Sequence, residues 1–531
     1  MALSCVPWLV GLLLTPPGHE FLWTRQVNVS DLAANLAALE RAGAGEQPPT
    51  NPYQPEPPAV ALVRPTWQLL GLLVAAGVPS LLAYHLGRVM CGVLFLLAVY
   101  RLTCQLLPRE RQRWLAWSLV ALGSGLSWAR TLLTGAPGGW PDALQPEATA
   151  WSALLDSPHL LLGHWLLVEA ALGALAAARA ATPDAARRGA LRLALAGGLA
   201  LPDQPFLGPG LVIVSGLALV CFQAPGTGPG RPLLVLGGLG LGLLPGALLV
   251  GRALLGEPAY AAWSRGLDSP GPVALLLAAA PLWVLAAVGA LPALRPHPAA
   301  ELAPSAAARR FLLGWALASL LLACSPLPQA RRLVEGWTVP LGILAAVGVT
   351  SLARRAGPRG GALLAALLVA VTCAGSLDLV RRQLRSYRDP AARHAHYQPR
   401  ARWELLRRLR GRLGPDDVVL ADAGVSLWLP LLSGCRVVHG HPFQGQPPPG
   451  RVEAIAAALE AANRAGHAPR FGGPLARVRA VVAVDVRGRG LRTVLLGPDP
   501  AGGARVVWLG PPGWAAPDLA NHQAAVWLLA E

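Results

Sequence analysis

From residue 67 to residue 380 the chain is mostly apolar runs of membrane-spanning length, separated by short turns rich in Arg or in Pro and Gly. A helical span needs about 20 apolar residues, fewer where it is broken or interfacial. By that measure 91–107, 114–133, 159–178, 189–201, 206–222, 232–255, 273–294, 311–327, 333–352 and 361–380 read as spans. Residues 1–15 are a short apolar stretch with no basic residue before it, read as a short or clipped first span, with a cleaved signal peptide as the alternative. The fold class is therefore a polytopic α-helical membrane protein with about eleven spans. The stretch 67–86 is apolar enough to cross, yet a crossing there would invert everything downstream, so it reads as interfacial or re-entrant.

Two polar regions flank this 67–380 block. In the loop 16–66, Leu32, Leu36 and Leu39 recur at helical spacing within Asn28-Val29-Ser30-Asp31 and the residues up to Arg41. Ser30 or Asp31 stands where a side chain caps a first turn, and the segment reads as an amphipathic helix on the membrane surface. The following Gln47-Pro48-Pro49-Thr50-Asn51-Pro52-Tyr53 and its continuation to Pro58 hold too much proline for helix or central strand. After the last span, 381–415 is a basic, helix-prone linker. In 416–531, strand-like runs at 418–421, 436–438, 479–484 and 505–509 alternate with helical segments at 426–432, 452–465 and 519–530. That alternation predicts a small α/β domain.

Composition agrees: 53% of residues are hydrophobic, 14% are charged and the mean hydropathy is +0.45. The net charge is +17 and every basic side chain counted in it is Arg. A nucleic-acid partner would need these gathered in one tract; here they fall between spans and in the tail, so the partner they indicate is the bilayer. Taking Arg109, Arg111 and Arg113, Arg179, Arg187 and Arg188, Arg231, Arg295, Arg309 and Arg310, and Arg354, Arg355 and Arg359 as cytoplasmic leaves the 16–66 loop and the C-terminal domain outside. Six of the seven cysteines lie in apolar runs, and no CxxC or Cys/His spacing supports a disulfide framework or a zinc site.

Ionisable groups at a membrane boundary are expensive and so are candidates for function. Arg331 and Arg332 fall on the outer side, against the basic-inside pattern. They read either as headgroup-snorkelling side chains or as a clamp for a lipid-borne phosphate, whose oxygens guanidinium binds bidentately. His159, at an outer span entrance in Asp156-Ser157-Pro158-His159, is a helix-start residue or a phosphate ligand. Asp203, in Leu201-Pro202-Asp203-Gln204-Pro205, is a solvated turn residue or faces the same cavity as Asp31. His439 and His441 share a face if they sit on a strand. A metal would need a third ligand that nothing nearby supplies, so contact with a sugar or phosphate, or no role, are the remaining readings. The glycines of Arg487-Gly488-Arg489-Gly490 lack the order of a phosphate-binding fingerprint. Glu169, with His164 on the same span, is what a transporter would place within the membrane.

The layout resembles the GT-C superfamily of membrane glycosyltransferases, including its protein O-mannosyltransferase and aminoarabinose-transferase-like branches. The resemblance covers most of the chain: a first span, a long outer loop with an acidic residue at a surface helix, many further spans and an outer C-terminal region. Asn28-Val29-Ser30-Asp31, Asn51-Pro52-Tyr53, Asp156-Ser157-Pro158-His159, Gln329-Ala330-Arg331-Arg332 with Trp337-Thr338-Val339-Pro340, and Arg436-Val437-Val438-His439-Gly440-His441 carry its local echoes. It implies a polyprenyl-phosphate sugar donor, a lipid, glycan or protein acceptor, and a bacterial cytoplasmic membrane. By the same resemblance Asp31 is the catalytic acidic residue, and Arg331, Arg332, His159, Asp203, His439 and His441 contact substrate. A divalent metal would want a second acid beside Asp31, but Glu20 lies eleven residues upstream and Glu40 nine downstream, so no metal or other cofactor is assigned. A transporter or flippase of a lipid-linked substrate, or a non-catalytic scaffold, are the alternatives.

Overall fold

The computed structural model describes residues 1–531 except 26–27, 59, 136–140, 224–228, 257–269, 292–303, 328, 442–450, 466–477, 486–490, 499–503, 511–518, 521–523 and 529–531. Arg295, Pro442-Phe443-Gln444 and Gly488-Arg489-Gly490 thus lie outside the described residues.

In lipid the backbone must satisfy its own hydrogen bonds, which is why the apolar runs become helices. Among the described residues, six helical stretches are long and apolar enough to cross: Ser80–Leu106, Pro158–Arg179, Gly230–Gly256, Ala306–Ala323, Ala330–Arg355 and Gly357–Ser386. Shorter apolar helices accompany them at Ala2–Leu13, Leu207–Phe222 and Ala280–Ala290, with the more charged Pro183–Asp203 alongside. Pro158–Arg179 forms the middle of the bundle, with 83% of its apolar window buried, whereas Gly230–Gly256 and Gly357–Ser386, at 28% each, present most of their surface outward. Small residues set the closest approach. A Cβ on Gly348 would stand 2.0 Å from the Leu285 carbonyl oxygen, and one on Gly289 would stand 2.1 Å from that of Leu344.

Two expected spans are not continuous, and their breaks meet. The 114–133 run divides into Glu110–Leu122 and Ser127–Thr134, and the 273–294 run into Pro272–Leu277 and Ala280–Ala290. Pro281 has no N–H for the Leu277 carbonyl; that oxygen accepts from the Leu126 amide at 3.2 Å instead. Ser124 donates its own amide to the Thr372 carbonyl at 2.9 Å. Irregular backbone survives at membrane depth because it is covered by protein that supplies its partners.

The 67–86 stretch is likewise two pieces, Pro65–Ala75 and the start of Ser80–Leu106, with Gly77 between them at φ +91°. Eleven residues rise about 16 Å, too little to cross.

The 16–66 loop is built differently from the expectation. Its helix, Val29–Gly43, does turn Leu32, Leu36 and Leu39 to one face, but that face is covered by Trp67, Leu70, Trp403, Leu406 and Leu409 rather than by lipid. The strand His19–Phe21 pairs antiparallel with Tyr397–Pro399, so the loop and the segment after the last span lie at the same end of the bundle. The Arg-rich turns gather at the other end, where Arg179 lies 3.8 Å over the Phe222 ring and Arg113 donates to the Leu107 carbonyl at 2.9 Å.

In the C-terminal region Val418–Ala421 runs parallel to both Arg436–Val437 and Val478–Asp485. Val478–Asp485 pairs antiparallel with Leu491–Pro498 and Ala524–Leu528, Leu491–Pro498 with Ala504–Gly510, and the helix Arg451–Ala465 lies between the parallel strands in sequence. The 519–530 segment, expected as a helix, instead forms the strands Leu519–Ala520 and Ala524–Leu528; pairing with a neighbour overrides the local helix preference of its alanines.

This sheet grips the proline-rich loop. Arg436, fully buried, donates to the carbonyls of Asn51 at 3.0 Å and Gln54 at 3.3 Å and to the Thr50 hydroxyl at 2.9 Å. Arg41 reaches the other way, to the carbonyls of Pro415 at 3.0 Å and Gly434 at 3.3 Å, while pairing with Glu46 at 2.7 Å. Replacing Arg436 by Ala strands three part-buried acceptors and is expected to cost about 2–4 kcal/mol. A lower melting temperature and faster proteolysis within 44–64 of the Arg436→Ala protein would show it; an unchanged melting curve would contradict the clamp.

Candidate active site

Asp31 is the third residue of Val29–Gly43, and neither it nor Ser30 caps the helix: Asn28 holds the N-cap position without a side-chain cap bond. The carboxylate is therefore free of its own backbone. It opens into a cavity of about 250 Å³ between the 16–66 loop and the bundle, where 43% of the side chain stays accessible. His441 Nε2 approaches Asp31 Oδ1 at 3.3 Å. Burial pushes the Asp31 pKa up, but the His441 contact and charge, with the Arg332 and Arg64 guanidiniums, more than offset it and hold the carboxyl below its ordinary value. Its place in the first turn of a helix favours the same charge.

Arg331 and Arg332 line the same cavity from the far side. They sit in the tight turn Ala330–Val334, which starts at the left-handed Gln329 (φ +59°) and is moored by the Trp337 indole N–H on the Ala148 carbonyl at 2.8 Å. Arg332 lies 3.3 Å from Glu147 and 5.1 Å from the Phe206 ring centroid. Arg331 is half-buried and makes no ion pair or side-chain hydrogen bond among the described residues.

His159 lines the cavity as well. Its Nδ1 is bonded to the Ser157 hydroxyl and its ring packs 5.3 Å from that of Trp67, which leaves Nε2 as the nitrogen for a ligand. Asp203 lines it too, but is neither solvated nor idle: it accepts from the Thr66 amide at 3.1 Å and the Thr66 hydroxyl at 2.6 Å, capping Pro65–Ala75 from another element. His439 does not reach this cavity. The strand stops at Val437, so the alternation that would align the two imidazoles is lost. His439 is buried with Nε2 unbonded, and burial lowers its pKa to about 4.

Two contributors, Arg64 and Glu147, escape the sequence reading, and a third, Asp156, enters it only as part of a motif. Arg64, at the N-cap of Pro65–Ala75, adds a third guanidinium to the wall and lies 5.5 Å over Trp67. Its signal was the one that exposed Arg331: an arginine on the side the basic turns avoid. Asp156 lies behind Asp31, tied to Arg25 at 3.2 Å and Asn28 at 3.1 Å. Burial raises its pKa to about 6 against the pull of Arg25, with the Asp31 charge adding to the rise. Glu147 balances Arg332 from a loop whose role no local pattern reveals. Asn51-Pro52-Tyr53 and the 436–441 motif, read separately in the sequence, are packed on each other: Val437 N donates to Pro52 O at 3.0 Å, and Tyr53 lies 5.5 Å from the His441 ring.

Among the described residues no three His, Cys, Asp or Glu side chains converge as metal ligands. Three guanidiniums, of Arg64, Arg331 and Arg332, line the Asp31 cavity, and guanidinium repels a cation and suits an anion. Glu169 is engaged by Arg101 and Arg192 and accepts from the Trp165 indole at 3.0 Å, a neutralised contact between helices. His164, which shares its span, pairs instead with buried Glu335 at 3.4 Å.

Two solved structures are similar to this chain. ArnT from Cupriavidus metallidurans, in a structure bound to undecaprenyl phosphate, matches with a TM-score of 0.51 at 13% identity, over 82% of this chain and 84% of that one. The archaeal oligosaccharyltransferase AglB from Archaeoglobus fulgidus, in complex with an inhibitory peptide and a dolichol-phosphate, matches at a TM-score of 0.47 and 14% identity over 91% of this chain and 69% of that one. At this identity the likeness to ArnT is one of fold alone. No family model matches the chain, and no curated protein does.

Because Asp203 works as a cap, Asp203→Ala is expected to cost about 1–2 kcal/mol of stability. Thr66→Val should repeat part of that loss. Thermal unfolding in detergent measures both; an Asp203→Ala protein with unaltered stability would show the cap to be dispensable.

Proposed function

We propose that this protein is a GT-C-like glycosyltransferase that moves a sugar from a polyprenyl-phosphate donor to a lipid, glycan or protein acceptor at the outer face of a bacterial cytoplasmic membrane. One observation carries the reading: Asp31 and the Arg331/Arg332 pair, on opposite sides of the bundle in sequence, line a single cavity. The shared fold with ArnT, whose structure holds undecaprenyl phosphate, supports the donor class. The topology belongs to the same proposal: about eleven crossings, with the Arg-rich turns in the cytoplasm and the C-terminal α/β domain outside.

In this reading Arg331, Arg332 and Arg64 hold the donor phosphate, with His159 Nε2 adding a hydrogen bond. The bond from the sugar's anomeric carbon to the phosphate oxygen breaks, and the electron pair leaves with a phosphate whose added charge meets preorganised guanidiniums. A hydroxyl of the acceptor forms the new bond to that carbon and gives its proton to Asp31. A carboxylate held below its ordinary pKa is ionised throughout the neutral range but is a weak base. It therefore suits a proton transfer that comes late, once carbon–oxygen bond formation has acidified the hydroxyl. His441 orients Asp31 through their 3.3 Å contact.

Asp31→Asn is expected to lower transfer by about 10²–10⁴-fold while the protein still accumulates in membranes. Arg331→Gln with Arg332→Gln should chiefly weaken donor binding. Mass spectrometry of lipid-linked sugars and their products, in cells carrying each variant, measures this. Undiminished transfer by Asp31→Asn would refute the assignment. The acid limb of the pH–rate profile should lie below the usual carboxylate range, since Asp31 is held low and activity fails only as it protonates. His441→Gln removes the contact that lowers it, and the limb should then move to higher pH.

A further inference from the structure

A second groove lies away from the cavity, between the first helix and the last span. It encloses about 390 Å³, and Val10 and Leu14 line one wall while Leu377, Val380 and Leu384 line the other. Its outer rim is Arg381, Arg385 and Arg388, which fall at i, i+4 and i+7 on one face of Gly357–Ser386 and its C-terminal extension. From Leu377 to its end at Ser386 the helix rises about 14 Å, the distance from acyl-chain depth to headgroup depth.

The rim carries unused positive charge. Arg381 is committed to Asp378 at 2.5 Å, and that carboxylate also takes Arg382 at 2.8 Å. Arg385 and Arg388 are exposed, and neither side chain makes an ion pair or hydrogen bond among the described residues. The neighbouring Asp389 carboxylate is turned to the Ala391 amide at 2.9 Å. Leu377, 67% exposed, has no protein cover, as expected of a side chain facing lipid.

We infer that this groove is a binding site for a phospholipid with an anionic headgroup, its acyl chains against Val10, Leu14, Leu377 and Leu384 and its phosphate between Arg385 and Arg388. Charge complementarity decides the occupant: two unpaired guanidiniums above an apolar trough fit a lipid phosphate that keeps its net negative charge. A zwitterionic lipid would bring a cation toward the same arginines. The site is independent of the catalytic reading, because none of these residues lines the Asp31 cavity.

The full chain purified in detergent should retain phosphatidylglycerol over phosphatidylcholine of identical acyl chains by about tenfold in native mass spectrometry. Arg385→Gln with Arg388→Gln should abolish that preference, with no change in elution or melting temperature. Should the double variant fail to fold, Leu377→Trp, which fills the trough from an exposed position, should reduce phosphatidylglycerol retention instead. Equal retention of the two lipids by the unaltered chain, or a preference that survives in both variants, would overturn the site. So would displacement of phosphatidylglycerol by an equal amount of single-chain polyprenyl phosphate.

Discussion

The 16–66 loop has almost nothing of its own to hold it, and the cavity depends on its being held. Its proline-rich half offers carbonyls but few donors, so it needs donors from elsewhere. Arg436 supplies them from the C-terminal sheet, and Arg41 returns the bond from the loop helix to that sheet. Desolvating a guanidinium costs several kcal/mol, recovered only when its N–H groups find acceptors. Two arginines that exchange backbone acceptors across one interface meet that condition. The C-terminal sheet, distant in sequence, thereby fixes the wall opposite the membrane bundle and delivers His441 to Asp31.

Charge within the cavity is balanced locally. Arg332 faces Glu147, Asp31 faces His441, and Asp203 is consumed by the first turn of Pro65–Ala75. Arg331 is the member without such a partner among the described residues, which leaves the wall short of one negative charge. Behind Asp31, Asp156 is held by Arg25 and Asn28, so the two carboxylates are set apart in kind. One is kept ionised by its neighbours, and the other is pushed by burial toward protonation near pH 6.

Much of this was legible in the chain itself. Apolar run length revealed the bundle, and the arginine distribution put loop and tail at one end, where the His19–Phe21 pairing with Tyr397–Pro399 also puts them. Arg331 and Arg332 stood out by breaking that distribution. What stayed hidden was tertiary. Nothing local says that Leu32 and Leu36 meet Trp403 rather than lipid, or that Pro281 hands its missing hydrogen bond to Leu126. Nor does His439-Gly440-His441 announce that its strand ends at Val437 and separates the imidazoles. Ala524–Leu528 read as helix because alanine favours it, and a neighbouring strand decided otherwise.

Cross-linking within native membranes tests the shared cavity most directly. In a chain whose seven cysteines are replaced, cysteines installed at positions 31 and 331 should be joined by a short bifunctional thiol reagent added from the outer side. Polyprenyl phosphate, filling the space between them, should slow that reaction. Failure to join the two positions, or labelling of one from each face of the membrane, would show that Asp31 and Arg331 do not share a site.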